Sequence, residues 1–600
     1  MALRPPQCAA ARLASAALFG DPENDLQEET HSNDEEVVIH IGDVRDDPET
    51  SADSFTDDEE APMRQPPPLP VGRGRDQGIQ VPQSSYMDKN GQIWSPDATI
   101  GTGRRDAANV VRVIDGAPTP QARKDTILAT WSLFFPDNTL SWIVRFSQLK
   151  ADALGINMRL TTAQFKAYIA VLYYRGVFGD TQIPIEQLWS DTYSTFYRTV
   201  MSRNLFQIWS KVLRFDDPVD RGQRKATDTF AAVRNIWTEW NERLRTFYEP
   251  GHSITVDEQL VASRNRSPHK IYNPSKPGKY GELIRWCTDA KERYFLYGSP
   301  QTKRPQNQVA AEAHKESNKA KNLVMDLCAP FLNSGRNITG DRFFSSYDLA
   351  CDLLTNHNTT YLGTLHKNRR DIPVILHEPR DQTTSLFAFG GPDGKVTLQS
   401  YQVKSNRKVY MISTMHHSGN TLDDQKKKSD LQLYYNETKA GVDVLDEMCK
   451  RYTVRCKVLR WPLVHFHNML DVTGINAFLI FNHYHPAWTT VNVAKRRRYF
   501  LHQLALELAQ EHMEFRLRDP IGLSTETVRL LCKVTGQDNP RPSAMVADAQ
   551  PPAMGRCACC KDEGKVTRAC NKASHRCSSC GKPICGRHGV PVAVRCPECL

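Results

Sequence analysis

Between Tyr434 and Cys449 the chain reads YYNETKAGVDVLDEMC. Set on a helix, Asp443 and Asp446 fall three apart on one face, with Val442, Leu445 and Cys449 nearby. Two carboxylates that close repel one another and lose hydration if the face turns inward. A solvated helix face would tolerate them, and so would a divalent cation. Two further acids favour the cation: Asp257 within the apolar run HSITVDEQLVA, and Asp341 in RNITGDRFFSS. Four acids drawn to one place suit a pair of Mg²⁺ ions about 3.5–4 Å apart, with Mn²⁺ as a substitute. Mg²⁺ favours carboxylate oxygens and keeps several waters. Such a pair activates water or a 3′-hydroxyl and stabilises the leaving oxygen of an in-line phosphodiester displacement.

The acids work together only if the elements around them bring them together. HSITVDEQLVA reads as a strand carrying Asp257. KYGELIRWCTDAKERYFLYGSP reads as two strands joined at Asp289-Ala290-Lys291. HKESNKAKNLVMDLCAP is a helix, RNITGD a short strand ending at Asp341 and running into a helix, and TYLGTLHKN another strand. The order strand–strand–strand–helix–strand–helix–strand describes a multidomain α/β protein with an RNase H-like core. In that fold the strands of Asp257 and Asp341 are neighbours, and a later helix carries Asp443 and Asp446 across to them. Before His252 the chain reads as mostly helical, with aromatic and aliphatic stripes that suit a core.

The cysteines form a second chemical pattern. Nine of the 16 lie between Cys557 and Cys599. They pair, with one histidine, as Cys557-x2-Cys560, Cys577-x2-Cys580, Cys585-x2-His588 and Cys596-x2-Cys599, eight ligands for two structural Zn²⁺ ions. By analogy with RING and PHD modules the pairs alternate: Cys557, Cys560, Cys585 and His588 on one ion, Cys577, Cys580, Cys596 and Cys599 on the other. Cys559, Cys570 and His575 are left as bystanders. A closed four-ligand site folds the domain and does no chemistry.

Six hundred residues are too many for one core. No run of 18 or more apolar residues reads as a membrane span. The weakly apolar start, MALRPPQCAAARLASAALFG, is interrupted by Arg12 and followed by acid, which argues against an export signal. Residues 1–60 hold 17 Asp/Glu against three Arg, a balance of −14, while the whole chain carries +9. The acidic head has too little apolar surface to order itself, and MRQPPPLPVGRGRDQG continues it as a linker. The basic remainder favours a polyanionic partner.

TVDEQLV, IYNPSKPGKYG, NITGDRFFSS, YYNETKAGVDVLDEM and RWPLVHFHNMLDVTGINAF occur here in an order that closely resembles the piggyBac transposases, from about residue 120 to the end. The resemblance implies that Asp257, Asp341 and Asp443 are catalytic aspartates and that Asp446 is an additional acid of the site. It implies cleavage at transposon ends and insertion at TTAA, through DNA hairpins and with scarless excision. The implied organisation is an acidic head and linker over 1–117, then a helical dimerisation and DNA-binding domain split between 118–253 and 455–535. The catalytic core is split between 254–370 and 431–454 around a β-rich insertion at 371–430. A linker at 536–552 leads to a cysteine-rich domain at 553–600 that grips terminal DNA. Trp461 matches a tryptophan near target DNA. The implied partners are double-stranded DNA and a second copy of the chain, in the nucleus.

Arg264, Arg266, Lys270, Lys276 and Lys279 cluster after the first acid-bearing strand, where a phosphate backbone would lie. Lys315, Lys319 and Lys321 follow as further contacts. Lys426–Lys428 and Lys495–Arg498 read either as import signals or as solvated charge. Two other functions compete: a transposase-derived DNA-binding protein without transposition, and a ubiquitin-ligase or histone-reader role for the zinc tail. The first is expected to lose acids, and this chain keeps all four; the second leaves the acids without a purpose.

Overall fold

The structure, a computed structural model, describes residues 85–98, 115–274, 276, 278–303, 319–422, 426–537, 555–562, 571–573, 575–576, 582–585 and 587–588. The chain divides into two compact units. The larger reaches to Arg516 and takes in Lys533–Thr535; the smaller holds Leu517–Cys532 and the chain from Gly536 on.

The larger unit is built on a nine-stranded sheet. Its strands are β1 (Ser253–Ala262), β2 (Lys270–Tyr272), β3 (Tyr280–Asp289), β4 (Phe295–Pro300), β5 (Asn337–Gly340), β6 (Thr360–Leu365), β7 (Ser385–Gly390), β8 (Val396–Lys404) and β9 (Arg407–Ser413). They lie in the order β7-β8-β9-β6-β5-β1-β3-β2, with β4 also paired to β3. β1 and β3 pair antiparallel, from Ile254↔Asp289 to Ala262↔Gly281. β5 runs parallel to both β1 and β6. The sequence reading contained no equivalent of β2, whose three residues pair with Tyr280–Glu282. The predicted insertion strands, β7 to β9, are not a separate layer. They extend the same sheet, because β9 pairs antiparallel with β6 from Leu362↔Ser413 to Leu365↔Tyr410.

Helices pack around this sheet. α1 (Asp137–Asp152), α2 (Thr162–Val177) and α3 (Ala231–Thr246) precede it; α4 (Lys319–Cys328) and α5 (Tyr347–Asn356) lie in the connections between strands; α6 (Asp430–Thr438), α7 (Gly441–Arg451) and α8 (Trp461–Tyr484) follow. α2 opens on a capping box between Thr161 and Gln164 and is buried on every side from Ala167 to Val177. This is the pattern of a helix inside a bundle. α8 is buried over most of its length. It reaches the sheet through Trp240, which donates to Thr473 Oγ1 at 2.9 Å, and through tilted and edge-on aromatic contacts among Trp237, Trp240 and Trp286.

An open strand edge inside a core would leave peptide groups unpaired. Two buried asparagines meet those of β4. Asn241 of α3 exchanges both amide bonds with Gly298 at 2.8 Å, and Asn476 of α8 does the same for Phe295 at 2.9 and 3.2 Å. The helices are thereby keyed to the sheet by hydrogen bonds as well as by apolar packing.

Residues 85–98 depart from the expected disordered linker. Tyr86–Met87 and Ile93–Trp94 form a small hairpin that adds to the sheet at β7, with Ser95 and Phe389 exchanging backbone bonds of 2.7 and 2.8 Å. Trp94 is fully buried, edge-on to Tyr347, and its indole donates to Asp88. Gly390 makes room for it, since a Cβ there would sit 2.9 Å from the indole ring. The composition of the linker concealed one anchoring tryptophan.

Candidate active site and metal centre

The register of β1 and β5 places the first two acids. Val256 lies opposite Gly340 in parallel pairing, so the next residues, Asp257 and Asp341, emerge at the same level of adjacent strands. Asp341 closes a turn in which its carboxylate accepts from Phe343 N at 2.9 Å.

α7 brings Asp443 over this edge. It packs on β1 and β3, and Gly441 permits the approach: a Cβ there would lie 2.9 Å from Thr288 Oγ1 and 3.0 Å from Thr255 Oγ1. A hydroxyl seam fastens the end of α6 beneath it. Thr255 donates to Thr438 O at 2.6 Å, and the Thr339 and Thr438 hydroxyls are 2.9 Å apart. Glycine and threonine were not read as site residues in the sequence, because their part is to set the height of the helix.

The electrostatics follow from this crowding. Burial, then the Asp341 and Asp443 carboxylates, push the Asp257 carboxyl well above its ordinary value. Burial also raises Asp341, against the backbone N–H groups of Phe343 and Phe344. Glu258 is raised chiefly by burial. Lys276 faces the group: burial works against its charge, but Asp257, Asp443, Glu258 and Asp446 outweigh it and hold the ammonium above its usual value. Tyr435 is buried beside the same acids, and its phenol is raised by burial and by Asp341, Asp257 and Asp443.

Asp446 is held differently. Gln259 donates to its Oδ1 at 3.0 Å, while Lys450 pairs with Oδ2 at 2.8 Å. The Gln259 amide is itself oriented by Trp286 and Asn468, which donate to its oxygen at 3.0 and 3.1 Å. Asp257, Asp341 and Asp443 thus form the mutually repelling set, and Asp446 stands beside it with both oxygens engaged. Glu258 and Gln259 went unread in the sequence, although Gln259 lies on the same strand face as Asp257 by simple alternation.

The donor set suits a hard divalent cation. It consists of carboxylates from the middle of β1, the end of β5 and α7, with Asp257 and Asp341 half-buried, Asp443 exposed and Lys276 opposed to them. Among the described residues, only one group of three or more ligand side chains has all its ligand atoms within 4.8 Å of one another, and that group is elsewhere.

That tight group is Cys557, Cys560, Cys585 and His588, the first of the two expected zinc sets. The three sulfurs stand 3.4, 3.5 and 3.6 Å from His588 Nδ1, similar to the edges of a tetrahedron around zinc. Burial raises the Cys585 thiol, but donors from Asn571 and the Arg587 and His588 backbone outweigh it and bring it down to about 6. Deprotonated sulfur is the form that binds metal. The second set, Cys577, Cys580, Cys596 and Cys599, lies outside the described residues, as does Cys570. Cys559 packs against the cluster without joining it.

The predicted basic contacts have separate fates. Arg264, Arg266 and Lys279 are exposed beside the acid-bearing sheet, and Lys270 is half-buried, donating to Asn265 O at 3.0 Å. Lys321 is spent on Asp352 at 2.8 Å. Lys315 and the side chain of Lys319 lie outside the described residues. Trp461 is half-buried against Phe230, His269 and His465. Within Lys495–Arg498, Arg496 donates to Pro486 O, Arg497 is buried and donates to Met448 O at 2.7 Å, and Arg498 covers the Phe178 ring. Most of that run is engaged in hydrogen bonds and packing within the fold.

Residues 128–478 match the sequence model of the family described as Transposase IS4. The chain belongs to this transposase family. Within it, the relatives and the fold point to the piggyBac group. PiggyBac transposable element-derived protein 3 of Homo sapiens is 23% identical over 361 residues, 55% of this chain and 56% of the relative. PiggyBac transposable element-derived protein 2 of Homo sapiens is 19% identical over 371 residues, 58% of this chain and 60% of the relative. The chain therefore matches little more than half the length of these curated relatives. A cryo-EM structure of piggyBac transposase synaptic complex with hairpin DNA superposes with a TM-score of 0.65 at 28% identity, covering 81% of this chain and all of that one.

Proposed function

We propose that the larger unit is the catalytic body of a cut-and-paste DNA transposase, with Asp257, Asp341 and Asp443 as its metal-binding acids in an RNase H-like core. The carrying observation is the shared level of Asp257 and Asp341 on adjacent parallel strands, with α7 lowered over them at Gly441. Bound Mg²⁺ or Mn²⁺ would supply an activated water or 3′-hydroxyl and charge stabilisation at the leaving oxygen. Asp257, Asp341 and Asp443 would hold the cations, Gln259 and Lys450 fix Asp446 at the margin, and Lys276 places a positive charge where a phosphate would enter. The finer reading follows the family resemblance: hairpin intermediates, TTAA insertion, scarless excision, a homodimer on double-stranded DNA, and action in the nucleus. The Cys557, Cys560, Cys585 and His588 cluster would hold structural Zn²⁺ in a DNA-gripping tail.

The test is strand cleavage on DNA carrying the matching transposon ends, with Mg²⁺ present. Asp257→Asn, Asp341→Asn and Asp443→Asn should each abolish cleavage while DNA binding persists. Cleavage surviving in all three overturns the assignment. A second reading, a transposase-derived DNA-binding protein, draws on the names of the human relatives. Wild-type binding without cleavage would favour it.

A further inference from the structure

Tyr272 and Tyr280 are exposed, at 51% and 42%, in a sheet whose other aromatic side chains are mostly buried. They lie directly opposite one another across β2 and β3, with ring centroids 4.8 Å apart. Their hairpin is closed by Asn273 N donating to Lys279 O at 2.7 Å. Lys270 brings its ammonium to 6.0 Å from the Tyr280 ring, and Lys279, Arg264 and Arg266 are exposed nearby in sequence. The same hairpin carries Lys276, whose surroundings are Asp257, Asp443, Glu258 and Asp446. Through Lys276 the tyrosine hairpin therefore reaches the acid centre. Lys276 is four positions from either tyrosine, at most about 13 Å of extended chain. That reach equals about four base steps of one DNA strand.

An exposed pair of rings could do no more than strengthen a sheet edge, since cross-strand aromatic pairs contribute about 0.2–1 kcal/mol. Edge stabilisation does not need cations around the rings, nor a loop lysine that faces a group of acids. Exposed rings beside ammonium and guanidinium groups are the combination that holds single-stranded nucleic acid, by stacking bases while neutralising phosphates.

We propose that Tyr272 and Tyr280 are a stacking platform for unpaired bases of the DNA strand engaged at the acid centre. The platform selects strands that are frayed or unpaired close to the scissile phosphate. This inference rests on the strand-cleavage reading above.

The experiment uses the full chain and two DNA probes of one sequence: a blunt duplex, and the same duplex with a short unpaired 3′ tail carrying 2-aminopurine. Stacking on tyrosine quenches 2-aminopurine. With the wild-type protein, quenching should be greatest within about four nucleotides of the duplex junction. Tyr272→Ala and Tyr280→Ala should each weaken binding of the tailed probe about tenfold or more and remove the quench. Blunt-duplex binding should change less than about threefold, and Tyr272→Phe and Tyr280→Phe should keep the wild-type preference, since the ring and not the hydroxyl stacks. Unchanged tail preference in the alanine variants, or equal loss on both probes, overturns the platform. Asp257→Asn runs alongside: a variant that loses cleavage but keeps the quench leaves both readings standing. A variant that still cleaves removes the acid-centre reading, while the quench continues to report on the tyrosines.

Discussion

The molecule gathers side chains of metal-ligating type in two places, by opposite means. The acid centre draws on residues 257, 341 and 443, from two strands and a helix distant in sequence, and its geometry is a property of strand register and helix height. The cysteine cluster takes four ligands from within 557–588, and they converge within 4.8 Å. In the first, a packed sheet positions the carboxylates, and on the proposed reading a cation is needed for chemistry but not for the fold. In the second, on the proposed reading, a bound cation would supply much of the fold. On that reading, scaffold strength and metal dependence of folding trade places between the two.

The largest effects should separate the two centres cleanly. Asp341→Asn is expected to reduce cleavage to background while leaving the metal-free melting temperature of the larger unit unchanged or raised, because a buried repelling carboxylate is replaced by a neutral isostere. Differential scanning fluorimetry beside a cleavage gel reads both. A fall in melting temperature comparable to a core truncation would break the contrast. Cys585→Ser, or strong chelation, should release zinc and open residues 555–588 to protease while the acid-bearing sheet stays protected. Metal analysis with limited proteolysis checks it, and protection that survives zinc loss would make this cluster no different from the acids.

A smaller effect tests helix height. Gly441→Ala places a methyl 2.9–3.0 Å from the Thr288 and Thr255 hydroxyls. It should cost about 1–3 kcal/mol of stability through overpacking, and cleavage should fall further than binding as Asp443 is lifted. Urea melts and single-turnover rates measure the two; a variant that cleaves normally would show that helix height is not the control.

The smallest effect concerns Asp471, a buried carboxyl of α8 that accepts from Thr453 Oγ1 and Val454 N at 2.7 and 2.8 Å. Burial pushes it from 3.8 to about 7. Between those values the folded protein keeps a proton that the unfolded chain has released, so stability at this residue falls as pH rises through that window and levels off above it. Asp471→Asn should flatten that slope in a melting-temperature profile. An unaltered slope would place the titration elsewhere.

The acids were legible in the sequence because each interrupts an apolar strand or opens an amphipathic helix, and side-chain alternation is local information. The strands of the β3–β4 hairpin were legible for the same reason, while the pairing of Cys557 and Cys560 with Cys585 and His588 came by analogy with RING and PHD modules. Gln259 was not, since an amide in a strand looks neutral until Trp286, Asn468 and Asp446 surround it. The continuity of β7–β9 with the main sheet was hidden too, because edge pairing is a relation between distant segments. Arg497 looked like free charge until the fold buried it against Met448 O.

The hairpin at residues 85–98 has a practical corollary for shortened forms of the chain. Cutting at residue 99 would strip an indole from its seat beside Tyr347 and Gly390 and leave β7 with a bare, sticky margin, inviting self-association. Beginning at residue 85 instead preserves that seal. Two truncations differing by fourteen residues should part company on a sizing column.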